Sequence, residues 1–178
     1  MKFVIASDIH GSAFYTRKLL QIFKDEQADK LILLGDIYNH GPRNPLPKEY
    51  APMTVAELLN SVKDNLIVVK GNCDSQVDTL ISEFSFIENT LLVIGNKTVF
   101  LTHGHVYNKD CMPQTKFDAM IYGHFHTGFV EKQKETLVVN AGSVSLPKGG
   151  TPNSYVFING ESLSLKDIDG NLLKTVEL

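Results

Sequence analysis

Apolar residues in the first half of the chain come in short runs, each cut off by a glycine or a polar side chain. Residues 2–7, Lys30 to Leu34 and Leu66 to Val69 are such runs, and they predict buried strands. Between the first two, Leu19, Leu20 and Phe23 recur at helical spacing over 12–27, with Ser12 placed to cap the start. A Pro/Gly/Asn-rich loop from His40 to Pro52 leads into a second helix near 53–63, with Val55, Leu58, Leu59 and Val62 on one side. The second half is strand-rich. Runs at 86–94, 97–102, 119–122, 128–139, 154–159, 162–168 and 172–177 are separated by turn signals such as Gly95-Asn96 and Asp169-Gly170. Only 75–83 and 113–117 read as helical there. A β-α-β half followed by a strand-rich half implies an α/β fold, with two sheets packed face to face, helices outside, and one domain over 1–178.

Composition narrows the picture. At 178 residues and 43% hydrophobic, the chain can bury a sizeable core. A net charge of −3 with no basic block argues against a duplex nucleic-acid footprint, while a small phosphoester remains a fitting partner. The N-terminal apolar run is too short for a signal peptide and ends at charged Asp8; no segment approaches membrane-spanning length. Cys73 and Cys111 lie in unrelated contexts and form no disulfide framework, so a reduced, cytoplasmic protein is expected.

The polar motifs that end the apolar runs carry the chemistry. Asp8-Ile9-His10-Gly11, Gly35-Asp36, Gly71-Asn72-Cys73-Asp74, His103-Gly104-His105 and Gly123-His124-Phe125-His126 each stand at the end of a predicted strand. All six histidines, His40 included, lie in or beside these motifs. Carboxylates, an amide oxygen and imidazoles without thiolate suit Mn²⁺, Fe, Zn²⁺ or Ni²⁺ better than Ca²⁺ or a structural zinc site. The donors are too many for one tetrahedral ion. Two divalent ions sharing one carboxylate is the economical arrangement, at roughly 3.5–4 Å separation for in-line displacement.

The order of these motifs resembles the calcineurin-like metallophosphoesterase superfamily, and most of all its small YfcE-type bacterial phosphodiesterases. Asn39-His40-Gly41-Pro42-Arg43-Asn44, Asn140-Ala141-Gly142-Ser143-Val144-Ser145 and Pro147-Lys148-Gly149-Gly150 add to the likeness. The resemblance implies two mixed sheets flanked by helices in an α/β/β/α sandwich. It implies that Asp8, His10 and His126 hold one metal, that Asn72, His103 and His124 hold the other, and that Asp36 bridges them. Mn²⁺ is the first choice of metal, with Zn²⁺, Fe²⁺ and Ni²⁺ as alternatives. The implied reaction is attack by a metal-bridging hydroxide on a phosphodiester, and a homo-oligomer is implied as well.

One position departs from many members of the superfamily. Where they carry histidine after Gly-Asn, this chain has Cys73, as the YfcE-type group does. Proton donation to the leaving group is therefore unassigned, with His105 and Asp74 as the nearest candidates. Arg43 is a candidate for gripping a phosphate oxygen. Asn39 stands where some members have a carboxylate, and Asn140 to Ser143 predicts a tight turn near the site. The alternatives to a phosphodiesterase are a phosphomonoesterase and a non-catalytic scaffold of the same fold.

Overall fold

The three apolar runs of the first half lie side by side as parallel strands, as expected of runs buried on both faces. The computed structural model describes residues 1–178. In chain order the elements are β1 (Lys2–Ala6), α1 (Ala13–Asp25), β2 (Lys30–Leu33), α2 (Pro52–Asn60), β3 (Leu66–Val69) and β4 (Phe86–Ile87). Then come β5 (Asn89–Ile94), β6 (Lys97–Thr102), β7 (Ala119–Tyr122), β8 (Phe129–Gln133) and β9 (Thr136–Asn140). The last three are β10 (Ser154–Asn159), β11 (Ser162–Asp167) and β12 (Leu172–Glu177). Ser12 caps α1 by accepting the Tyr15 amide, as its position predicts.

Two mixed sheets result. The larger runs β12-β11-β10-β1-β2-β3-β4 and the smaller β5-β6-β7-β9-β8. Pleating divides the apolar residues of β1 between two layers. Phe3 and Ile5 pack with Ile32, Leu101, Ile121 and Val139 between the sheets, while Val4 and Ala6 pack with Leu19, Val55 and Leu59 under the helices. Both helices cover the larger sheet. The outer face of the smaller sheet carries Phe100, Met120, Tyr122 and Val138, covered by Tyr107, Met112, Phe117 and Phe129.

Several element boundaries differ from expectation. The run 86–94 is two strands. Phe86–Ile87 pairs with β3, and after Glu88 the chain enters the other sheet beside β6. The run 128–139 is a hairpin, because Lys134 takes a left-handed turn at φ 56°. Residues 113–117 form no helix; Pro113 removes an amide, and Phe117 is used to cover Phe100 instead. The helical stretch near 75–83 is a 3₁₀ turn over Gln76–Leu80.

Candidate metal centre

Strands β1, β2, β3, β6 and β7 all end at one rim, where their motifs meet. A ligand site outside the carboxyl ends of parallel strands is the expected place in such a sheet. Asp8 Oδ1 stands 3.5 Å from His10 Nε2 and 3.3 Å from His126 Nε2, and those two nitrogens are 3.2 Å apart. On the other side, His103 Nε2 is 3.0 Å from Asn72 Oδ1 and 3.2 Å from His124 Nδ1. Asp36 lies between the groups. Its Oδ2 is 3.7 Å from His10 Nε2 and its Oδ1 is 3.5 Å from His103 Nε2.

These atoms should repel one another. His10, His103 and His126 each turn Nδ1 to a backbone carbonyl, of Asn39 at 2.7 Å, Leu34 at 2.6 Å and Leu146 at 2.6 Å. A carbonyl only accepts, so Nδ1 carries the proton and Nε2 presents a lone pair to the cluster. Asp8 Oδ1 is fully buried and has no hydrogen-bond donor. Lone pairs about 3.0–3.6 Å apart are what donors to a shared cation with bonds near 2.1 Å require. The donor set therefore fits divalent ions: the groups Asp8-His10-His126, His10-Asp36-Cys73 and Asp8-Asp36-His103 could each hold one, and they overlap at Asp8, His10 and Asp36.

Protonation agrees. Burial pushes the Asp8 carboxyl up, but the imidazoles of His10 and His126 and the charge of His103 override it and hold it well below the usual range. Burial would lower His10, yet Asp8, Asp36 and the Asn39 carbonyl raise it above the 6.5 of an exposed histidine. The same negative surroundings that raise His10 would favour a cation there. His124, pushed down to about 4 by burial and by His103, is neutral and open to a metal at pH 7.

The backbone is bent to make this possible. Asp8, His10, Asp36, His124 and His126 all have φ between 52° and 65°. Left-handed residues other than glycine cost about 1–3 kcal/mol each and collect where function requires them. Supports surround them. Ser143 and Ser145 both donate their hydroxyls to the Asp8 carbonyl, at 2.8 and 2.9 Å. Asn140 donates to the Gly123 carbonyl and accepts the Gly142 amide, so the predicted turn after β9 is a brace for two motifs. At Gly71 a Cβ would collide with the carboxylate and amide of Asp36. Only glycine admits that approach.

The remaining predicted residues are placed differently. Asp74 Oδ2 accepts the amides of Asp36 and Gly71, and its Oδ1 accepts that of Ile37, at 2.7–2.8 Å. Burial pushes its pKa up to about 6 against those donors. With both oxygens occupied by backbone, Asp74 fastens the ends of β2 and β3 together and is not aimed at the cleft. Cys73 is half-buried; its amide donates to Asp36 Oδ1 at 2.8 Å. Burial and the charge of Asp36 push its thiol up to about 12. His105 is exposed, its ring 5.3 Å from that of His103. Arg43 lines a cleft of about 170 Å³ with Asp36, Asn72, His124 and His126. Lys148 lines it too. In the sequence Lys148 stands out only as part of a family-like tail; a lone cation between Pro147 and two glycines is the signal that could have found it.

Phosphodiesterase YfcE of Escherichia coli K12 is 44% identical over 167 residues, 93% of this chain and 91% of its own length. The solved structure of the E. coli phosphoesterase YfcE matches with a TM-score of 0.95 at 40% identity, covering 99% of both chains. Vps29 of Chaetomium thermophilum, at 14% identity and a TM-score of 0.67 over 100% of this chain and 97% of its own, shares the fold. Residues 1–162 match the calcineurin-like phosphoesterase superfamily domain. The chain belongs to the calcineurin-like phosphoesterase superfamily.

Proposed function

We propose that the protein is a two-metal phosphodiesterase acting on small phosphodiesters in the cytoplasm, with Mn²⁺ as the working ion. Asp8, His10 and His126 hold one ion, Asn72, His103 and His124 the other, and Asp36 is shared. One observation carries the assignment: the two oxygens of Asp36 face histidines of different groups, amid lone pairs that only cations reconcile. Bound divalent ions supply an activated water and neutralise charge on the phosphoryl oxygens.

The chain's own groups do the rest. Asn39, Leu34 and Leu146 carbonyls orient the imidazoles and fix their tautomer. Arg43 contacts the substrate at the rim. Asp74 positions the loops instead of moving a proton, because backbone amides take both its oxygens. His105 is left as the candidate for protonating the leaving group, and no donor of the family's usual kind stands at Cys73.

The test is a metal-titrated hydrolysis screen of parallel monoester and diester panels on purified protein. Diester hydrolysis that peaks with Mn²⁺ is expected. Preference for monoesters would overturn the diesterase assignment, and no hydrolysis with any metal would favour the scaffold reading.

A further inference from the structure

We propose that Lys148 and Arg43 form a second anion subsite beside the metal cluster, selecting phosphodiesters that carry an additional phosphate group. This rests on the phosphodiesterase reading. The two side chains are the arginine and the lysine lining the cleft. Neither takes part in any ion pair of the structure.

Their backbones, in contrast, are tied to the metal-capable histidines. The Lys148 amide donates to the His126 carbonyl at 2.8 Å, and the Lys148 carbonyl accepts the amide and hydroxyl of Thr151 at 3.1 and 2.8 Å. Arg43 rides on a loop in which the Asn39 side chain accepts the Gly41 amide and Asn44 donates to the His40 carbonyl, at 2.8 Å each. The Asn39 carbonyl at the base of that loop takes the Nδ1 proton of His10. The main chain beneath each exposed cation is thus held in place, one at the Cys73 lip of the cleft and one at the His126 lip.

Charge balance supplies the reason for them. Two divalent ions would be balanced by the carboxylates of Asp8 and Asp36, a hydroxide and the single negative charge of a simple diester. The two rim cations then have no anion of their own, unless the ligand brings one. A second phosphate reaching the rim meets that need.

The experiment compares two esters with the same leaving group on the metal-loaded protein: thymidine 5′-(p-nitrophenyl phosphate) with and without a 3′-phosphate. The 3′-phosphate is expected to lower KM about tenfold, the scale of one charge-assisted contact. Lys148→Met should cut that ratio to about twofold, and Lys148→Arg should restore it. Isothermal titration with thymidine 3′,5′-bisphosphate against thymidine 5′-phosphate should show the same preference and the same loss. Equal KM values in the unmodified protein, or a preference that survives Lys148→Met, would overturn the subsite while leaving diester hydrolysis standing. Should neither ester be hydrolysed, the functional reading fails, and the titrations alone decide whether the subsite exists.

Discussion

Two carboxylates show how differently the two ends of the chain are built. Asp167, at the β11–β12 turn, accepts from the Asp169 amide at 3.0 Å and from the amide and side chain of Asn171 at 2.8 Å. Asp8, at the end of β1, has an oxygen with no donor at all. Both carboxyls are held below the usual range: what burial there is opposes it, but Asp167 is stabilised by its own turn and Asp8 by histidines from other strands. The antiparallel strands β10 to β12 send successive ends to opposite edges and close each turn locally. The parallel strands send every carboxyl end to one rim, where polar groups are left for something not in the chain. Local satisfaction makes a support; collective dissatisfaction makes a site.

The comparison breaks most visibly at Asp36. Asp36→Ala removes the shared oxygen pair, and metal-dependent diester hydrolysis should fall at least about a thousandfold. Asp167→Asn in the meander should leave the rate within about twofold, since its turn lies outside the metal and substrate contacts. Steady-state rates of the two variants, with circular dichroism as a check on folding, decide it; an Asp36→Ala enzyme of normal activity sinks the two-ion assignment.

Metal removal comes next. An ion at a hundredfold excess over its Kd stabilises by about 2.7 kcal/mol, or about 5–10 °C in Tm for a chain of this length. Chelation should cost that much, and the cost should depend on pH. His10 has its folded pKa above 6.5, so the stability its proton supplies to the metal-free protein is complete below 6.5 and is lost as pH rises through the folded value. Asp8 acts at the other extreme, losing its contribution as pH falls below 3.8 towards its lowered value. The gap in Tm between metal-loaded and chelated protein should therefore widen from pH 6 to pH 8. A gap that narrows over that range contradicts the placement of His10 beside the ion.

A smaller loss is expected at Asp74. Asp74→Asn turns one acceptor into an amide donor facing backbone N–H groups, and one buried donor is left unpaired. About 2 kcal/mol of stability should go, read from denaturant unfolding, together with weaker metal binding as the β2 and β3 ends separate. Loss of activity with unchanged stability would instead make Asp74 a proton donor again.

Much of this was legible in advance, and the reasons differ by feature. The five motifs were visible because parallel strands concentrate apolar residues and then stop, leaving ligand types at their tips. The α1 start was visible through Ser12. The break at Glu88 was not: the polar triplet Glu88-Asn89-Thr90 interrupts the apolar run, but nothing in it marks a change of sheet. Nor were the carbonyls of Leu34, Asn39 and Leu146 that orient the imidazoles, because a backbone group has no letter of its own. Asp74 shows a related limit of sequence: a carboxylate beside metal ligands reads as catalytic, and the amides it accepts are visible only in the fold. Ser143 and Ser145 stood in a segment that suggested a turn, but nothing local showed that both hydroxyls reach back to Asp8.

The smallest expected effect concerns the residue in the place of the family's histidine. A thiol pushed up to about 12 stands far from the operating pH, where a general acid works best. Without an efficient donor, the rate should depend steeply on leaving-group acidity, and p-nitrophenyl diesters should turn over much faster than alkyl ones. Cys73→His places an imidazole at the cleft lip. Alkyl diesters should then gain up to about tenfold, on the order of 1.4 kcal/mol, while p-nitrophenyl diesters change little and the slope against leaving-group pKa flattens. If the unmodified protein already treats both kinds of ester alike, a competent acid is present, and His105 on its exposed perch beside His103 becomes the residue to change first.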